Sequence, residues 1–194
     1  LRTLIGERER GEGMNVIRLV KKAKKGNKEA LLQLIMAEKD VYYKLALTYM
    51  GNSHDAMDAM EEMIVALYEK IDQLKKEDAF YSWSKTILVN CCKTLLRKQK
   101  KIVLIEEWNT PIESETGHAL NVNPYVRTER QIDIQQLLLH LNDHQREAIQ
   151  LKYFHDLDYQ TIAEMTSVSV GTVKSRVFQG LKKLREHYGG EMDE

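Results

Sequence analysis

Residues 157–184 read LDYQTIAEMTSVSVGTVKSRVFQGLKKL. Asp158 stands where a helix N-cap belongs, and the spacing predicts a short helix from Tyr159 to about Met165. Ile162 and Ala163 would face inward, and Ala163 is small enough to let two helices cross. A turn at Thr166 to Val168 follows, and Ser169 caps a second helix that begins at Val170. Val168, Val173 and Val177 can seal the junction. Two helices joined by a tight turn are the helix-turn-helix layout. The outer side of the second helix carries Gly171, Thr172, Lys174, Ser175, Arg176 and Gln179, and Lys182, Lys183 and Arg185 extend its charge. Close backbone approach, hydroxyls, an amide and cations are what reads base edges and holds phosphates in a major groove. A solvated basic face would explain the charges alone; the full pattern points to DNA. Gly180 lies inside this helix at a cost of about 1 kcal/mol against Ala, which points to a close packing contact there.

The composition around this stretch is helical. The chain has 194 residues with only 2 Pro and 10 Gly, against many Leu, Lys, Glu, Gln and Met. Its net charge is zero, which argues against a protein that coats nucleic acid by bulk attraction but allows a local basic face. No apolar run approaches the roughly 20 residues of a membrane span, and no secretory signal pattern opens the chain. Membrane insertion is not expected, and the expected compartment is the cytoplasm. Cys91 and Cys92 are adjacent and read as two reduced thiols.

Working towards the N-terminus, the composition shifts sharply. Residues 102–126 contain no Lys or Arg but hold Glu106, Glu107, Glu113, Glu115, Pro111 and Pro124, and read as an acidic linker. Its Ile, Leu and Trp108 suggest that it lies on something when the protein works. Before it, a helix is expected from near Phe80 to about Lys101, carrying Trp83, Ile87 and Leu88 and ending in Lys93, Arg97, Lys98, Lys100 and Lys101. A preceding helix carries Ala59, Met60, Met63, Ile64, Leu67, Ile71 and Leu74 as its apolar stripe, with Asp55 and Asp58 in its first turn and Asn52 or Ser53 as cap. Gly51 stops the helix before that, whose stripe runs from Leu31 to Tyr49 with Glu38 interrupting it. Residues 1–13 show no amphipathic repeat and read as a flexible tail or translated leader, with Met14 as the natural start. The fold expected is all-α: a domain over 14–101, a linker over 102–126, a helix-turn-helix bundle over 127–188 and a tail over 189–194.

Three motifs in this order carry a resemblance. Residues 170–176, VGTVKSR, preceded by Ile162-Ala163-Glu164, resemble the promoter-reading helix-turn-helix of bacterial sigma factors of the sigma-70 family. The extracytoplasmic-function group, whose members consist of two domains, is the most similar. Residues 55–62, DAMDAMEE, resemble that group's acidic core-binding helix, and residues 83–90, WSKTILVN, its tryptophan signature. Residues 95–98, LLRK, match its basic helix end. The chain departs from the common pattern at Glu61, Ser84, Thr161 and Ser167, the last standing where Gly is frequent.

The resemblance implies an alternative sigma factor that binds core RNA polymerase, directs it to specific promoters and helps open the DNA. It implies that Ser169, Gly171, Thr172, Lys174, Ser175, Arg176, Phe178, Gln179 and Lys182 meet the minus-thirty-five element. Lys174, Ser175 and Phe178 fall at reading positions, while Arg176 and Lys182 hold phosphate. The loop before the tryptophan helix, about Lys75 to Tyr81, is implied to capture a flipped minus-ten base. Lys76, Phe80, Tyr81, Trp83, Lys85, Asn90, Lys93, Arg97 and Lys98 are the candidates on that side. Asn90 can both donate to and accept from a base edge, whereas Trp83, Phe80 and Tyr81 could stack on a base or pack in the interior. Asp55, Asp58, Glu61, Glu62, Met63, Ile64 and Leu67 are implied to dock on the β′ coiled coil of polymerase, or to be an amphipathic core helix, on different faces. The partners implied are core polymerase through its β′ and β subunits, promoter DNA and an anti-sigma factor; no cofactor is implied.

An enzyme is not expected, since no phosphate-cradling glycine loop, nucleophile elbow or HExxH occurs. His140 and His144 stand four apart, which could place them on one helix face, but with no clear third ligand no metal site is expected. A helix-turn-helix regulator that recruits polymerase without being a subunit of it is the competing reading of the C-terminal part.

Overall fold

The computed structural model describes residues 2–107, 134 and 136–189, with side chains described for 13–100, 134 and 136–187. The chain divides into two units, residues 1–123 and 124–194. Among the described residues every element is helical, so the fold is all-α.

The first unit holds α1 (Arg2–Lys24), α2 (Lys28–Ala37), α3 (Lys39–Met50), α4 (Ser53–Lys70), two 3-10 turns (Ile71–Gln73 and Glu77–Ala79) and α5 (Phe80–Glu107). Side-chain caps set the starts. Asn27 accepts a hydrogen bond from the Ala30 amide at 2.8 Å, and Asn52 from the Asp55 amide at 2.9 Å. Gly51 ends α3 in the left-handed region at φ 76°, where a side chain would be strained. The interruption expected at Glu38 is a true break: its φ of −120° and ψ of 22° separate α2 from α3. Helix α1 begins at Arg2, so the backbone of 2–13 is helical although these residues show no amphipathic repeat. One expectation is corrected. Helix α5 continues past Lys101 to Glu107, because the chain has no Pro or Gly between Gly51 and Pro111 to stop it. The rest of the expected linker, with Trp108, both prolines, Glu113 and Glu115, lies outside the described residues.

Helices α3, α4 and α5 pack on one another, and α1 lies against α2 and both 3-10 turns. Their shared core contains Tyr42, Leu45, Ala56, Ala59, Met63, Leu67, Phe80, Leu88 and Cys92. Burial pushes the Cys92 thiol up to about 12 and raises that of Cys91 as well, so both stay protonated at neutral pH and react slowly.

The second unit holds a helical stretch over 136–139, α6 (Asp143–Ile149) continuing into a π turn (Gln150–Phe154), α7 (Tyr159–Thr166) and α8 (Val170–Gly189). Asn142 starts α6 with a reciprocal capping box to Gln145. That cap separates His140 from His144, so they do not share one helix face as their spacing allowed. His140 instead lies beside His187, with 3.7 Å between ring centroids. Leu138, Leu141 and Ile149 form a core on which Leu181 and Leu184 pack.

Candidate nucleic-acid and polymerase interfaces

The helix-turn-helix is held by three local devices. Asp158 accepts from the Thr161 amide at 2.9 Å and from its hydroxyl at 2.7 Å. Thr161, a departure in the sequence, is therefore the second half of the cap. These hydrogen bonds hold the Asp158 carboxyl below its usual range. Stability from a depressed carboxyl is fully present above its unfolded pKa and is lost as pH falls through the folded value. Asp158→Ala is expected to cost about 1 kcal/mol at pH 7, and the gap to wild type should close in acid. Urea titrations at several pH values check this; a pH-independent gap would rule out the ionised cap.

Ser167 makes the turn at φ 55° and ψ 42°. A left-handed residue with a side chain costs roughly 1–2 kcal/mol, which glycine avoids at some expense in unfolded-chain entropy. Ser167→Gly is expected to raise stability by about 0.5–1 kcal/mol, read as a higher denaturation midpoint. Beyond the turn, Ser169 accepts from the Thr172 amide at 3.1 Å and its hydroxyl lies 2.8 Å from that of Thr172.

These caps aim one face of α8 outward. Val173, Val177 and Gly180 are buried, while Ser169, Gly171, Lys174, Ser175, Phe178, Gln179 and Lys182 are exposed, with Thr172 and Arg176 half-buried. Phe178 is 69% exposed, an unusual position for a phenyl ring and a ready contact for a thymine methyl. Tyr159, which the sequence reading passed over, lies under two ammonium groups: Lys174 at 5.7 Å and Lys152 at 5.3 Å from its ring centroid. The ring steadies Lys174 at the start of the exposed polar face of α8. Gln179 donates to Ser175 at 3.3 Å, tying the next two polar groups together.

In the first unit the candidates divide. Phe80 is fully buried, its ring packed on Tyr81 and Trp83 at centroid distances of 5.4 and 6.3 Å, so it is a core residue. Tyr81 and Trp83 are half-buried. Lys85 is drawn inward to Glu38 at 2.8 Å. Lys76, Asn90, Arg97 and Lys98 are exposed, and Lys93 sits 5.8 Å from the Tyr49 ring centroid. Trp83, Asn90 and Arg97 stand seven apart and share a stripe of α5. Asn90 also rims a groove between α4 and α5 that Glu62, Glu69 and Lys98 help to line. Ser84, another of the four departures, is buried and its hydroxyl lies 2.7 Å from that of Tyr42.

Helix α4 divides too. Met63 and Leu67 are fully buried and belong to the core, not to an outer face. Asp55 accepts from Asn52 at 2.8 Å and from Gln99 at 3.0 Å, which ties α4 to α5 and holds its carboxyl below the usual range. Asp58 pairs with His54 at 3.2 Å. Glu61 and Glu62 are exposed. Ile64, expected on the apolar stripe, faces out together with Met57, Val65 and Tyr68. Positions 57, 61, 64, 65 and 68 form one exposed helical stripe, apolar with an acidic edge. Periodicity alone did not find Met57, Val65 and Tyr68, because a helix with apolar residues on two sides does not announce which side is covered.

An all-α chain with a helix-turn-helix whose second helix exposes polar and basic groups in one unit, and a basic helix beside an exposed apolar-acidic stripe in the other, has the features of a DNA-binding protein. Residues 34–102 match sigma-70 region 2, and residues 131–184 match sigma-70 region 4. The ECF RNA polymerase sigma factor SigW of Bacillus subtilis is 30% identical over 180 residues, covering 89% of this chain and 96% of that one. The RNA polymerase sigma factor SigV of the same organism is 30% identical, covering 84% and 94%. The solved sigma factor RpoE of Bartonella quintana, in complex with the anti-sigma factor NepR, is similar at 25% identity and a TM-score of 0.61, covering 80% and 94%. The chain belongs to the extracytoplasmic-function group of sigma-70 family sigma factors, the transcription initiation factors that direct RNA polymerase to promoters. Among the described residues no helix is long and apolar enough to cross a membrane.

Proposed function

We propose that the two units divide promoter recognition between them. Residues 127–188 act as the region 4 domain, with the outer face of α8 on the minus-thirty-five element. Residues 14–101 act as the region 2 domain, which binds core polymerase and melts the minus-ten element, and residues 102–126, whose first six continue α5, join the two domains. The observation that carries this is the α8 face: Lys174, Ser175 and Phe178 stand exposed while Val173, Val177 and Gly180 hold the helix from behind. Arg176 and Lys182 supply phosphate contacts, which position the helix without choosing sequence.

On the first unit, Tyr81, Trp83 and Asn90 meet unpaired bases, and Lys76, Arg97 and Lys98 meet the backbone. The exposed stripe of α4, with Asp58, Glu61, Glu62 and Ile64, docks on the β′ coiled coil of polymerase. The chain has no catalytic activity of its own and works in the cytoplasm, where polymerase is. An anti-sigma factor holds it inactive, a reading supported by the complex of the Bartonella relative with such a partner.

Run-off transcription with sigma-free core polymerase and genomic fragments tests the function. Discrete transcripts that depend on this protein are the expected result. No binding to core would sink the sigma reading and favour a separate regulator. Lys174→Ala or Ser175→Ala is expected to lower promoter affinity of the holoenzyme about tenfold to a hundredfold, from about 1–3 kcal/mol per good base contact. Core affinity should not change; an equal loss there would remove these residues from the reading face.

A further inference from the structure

The densest charge outside the faces assigned above lies on α1. Between Met14 and Lys28 the chain has no acid, yet it carries Arg18, Lys21, Lys22, Lys24, Lys25 and Lys28. Helix α1 buries Val20 and Ala23 against its unit. Lys24, one turn after Val20, turns the same way. Its Nζ donates to the Leu74 carbonyl at 2.6 Å and to Glu77 Oε1 at 2.9 Å. One ammonium thus staples both ends of the turn that presents exposed Lys75 and Lys76. The same contact, with the field of Lys21, holds the Glu77 carboxyl below its usual range. Lys28 is drawn over the Tyr68 ring, 5.1 Å from its centroid.

Four further cations, Arg18, Lys21, Lys22 and Lys25, face solvent, and Arg18 donates to the Asn15 side chain at 3.1 Å. Arg18, Lys21 and Lys22 stand at i, i+3 and i+4 on one face of α1, Lys25 follows in the turn just past its end, and all are exposed. With Met14 and Ile17 they line a shallow concavity on the outer side of α1. Seven residues of helix rise roughly 10 Å. That is about the length of three phosphates at ~3.4 Å per step of one strand. The stripe runs towards the C-terminal end of α1, and the Lys24 staple joins that end to the Lys75–Lys76 turn.

We propose that Arg18, Lys21, Lys22 and Lys25 form a phosphate-binding surface, joined through Lys24 to the 74–77 turn, that holds the promoter backbone beside the minus-ten element. The proposal rests on the assignment of the 75–81 loop to that element. The surface reads no sequence, because cations on phosphates position without choosing bases. Lys24 is a positioning residue: it fixes the turn from behind and touches no DNA.

Holoenzyme rebuilt from core polymerase and the full chain is titrated with a labelled promoter recovered by run-off transcription, across a range of salt. The variants are Lys21→Gln, Lys22→Gln and Lys25→Gln combined, and Lys24→Met alone. The triple variant should bind every promoter more weakly by a similar factor. Its loss of affinity between about 50 and 200 mM salt should be about twentyfold smaller or more, from three lost contacts at a slope of ~0.7–0.9 each. Its affinity for core should match wild type. Lys24→Met should keep the salt slope but reduce permanganate reactivity of minus-ten thymines, and Lys24→Arg should restore it.

An unchanged slope and affinity in the triple variant overturns the proposal. So does a matching loss of core affinity, which would place the stripe on an acidic surface of polymerase, and so does an effect confined to one promoter sequence. If wild-type holoenzyme binds its promoter but leaves the minus-ten thymines unreactive, the minus-ten assignment falls and takes this proposal with it. If wild type opens the promoter and only the triple variant behaves normally, the stripe alone is refuted.

Discussion

Gly180→Leu is expected to cost the second unit about 3 kcal/mol or more, the upper end of overpacking in a well-filled core. A methyl group built on Gly180 would sit 2.6 Å from Ile149 Cδ1 and 3.4 Å from Gln145 Cβ. Ile149 is buried and packs with Leu138 and Leu141, so it has little room to retreat. Even Gly180→Ala should destabilise. Its helix-propensity gain of about 1 kcal/mol is set against a contact that the Ile149 Cδ1 methyl must relieve by turning away within a packed core. Shrinking the obstacle reverses the sign: in an Ile149→Val background, Gly180→Ala should cost less than it does alone. Chemical denaturation of the full chain measures all of these. On the proposed assignment of α8 to the minus-thirty-five element and of the first unit to core binding, Gly180→Leu should also abolish promoter recognition while core binding persists. A Gly180→Leu protein as stable as wild type would show that the helix crossing is not confined there.

Ser84→Ala is expected to cost about 1–3 kcal/mol, because it strands the Tyr42 hydroxyl in the interior. Both residues are fully buried and their oxygens lie 2.7 Å apart. Burial pushes the Tyr42 phenol up, so the group stays protonated and cannot escape its need for a partner by ionising. Tyr42→Phe should cost less, about 0.5–1.5 kcal/mol. Ser84 would keep the Tyr81 carbonyl, to which its hydroxyl can donate at 3.1 Å. The double variant should be no worse than Ser84→Ala, since removing the phenol oxygen removes the orphan. Non-additivity of about 1 kcal/mol or more in the cycle is the expected signature; simple additivity would mean the bond contributes nothing. The bond joins α3 to the start of the second turn of α5, and the neighbouring Lys85 pairs with Glu38, the residue that precedes α3. The more damaging single variant should therefore also slow promoter opening.

The helix-turn-helix was legible residue by residue. Asp158, Ser169, the small Ala163 and the valines were placed by rules of capping and crossing that act over a few neighbouring residues. The same holds for Gly51 as a helix stop and Glu38 as an interruption. The family, too, was legible from three short motifs in order. Local rules failed where the outcome depends on something distant. Residues 2–13 joined a helix although they show no repeat of their own. Lys101 was read as a helix end because the composition changes there, but composition does not break a backbone that lacks proline and glycine.

The sequence by itself determined the all-α class, the helix-turn-helix and the outward polar groups of its second helix, because caps, turns and periodicity are properties of adjacent residues. The tertiary structure alone decided which face of each helix is covered. It buried Phe80, Met63 and Leu67, which the family resemblance had offered as contacts, and left Met57, Ile64, Val65 and Tyr68 outside. It explained Ser84 by Tyr42 and Gly180 by Ile149, partners that lie far along the chain. It also turned Lys24 inward and left Arg18, Lys21, Lys22 and Lys25 facing out. Amphipathic helices with more than one apolar side can bury either, and only packing against the neighbouring helices selects between them.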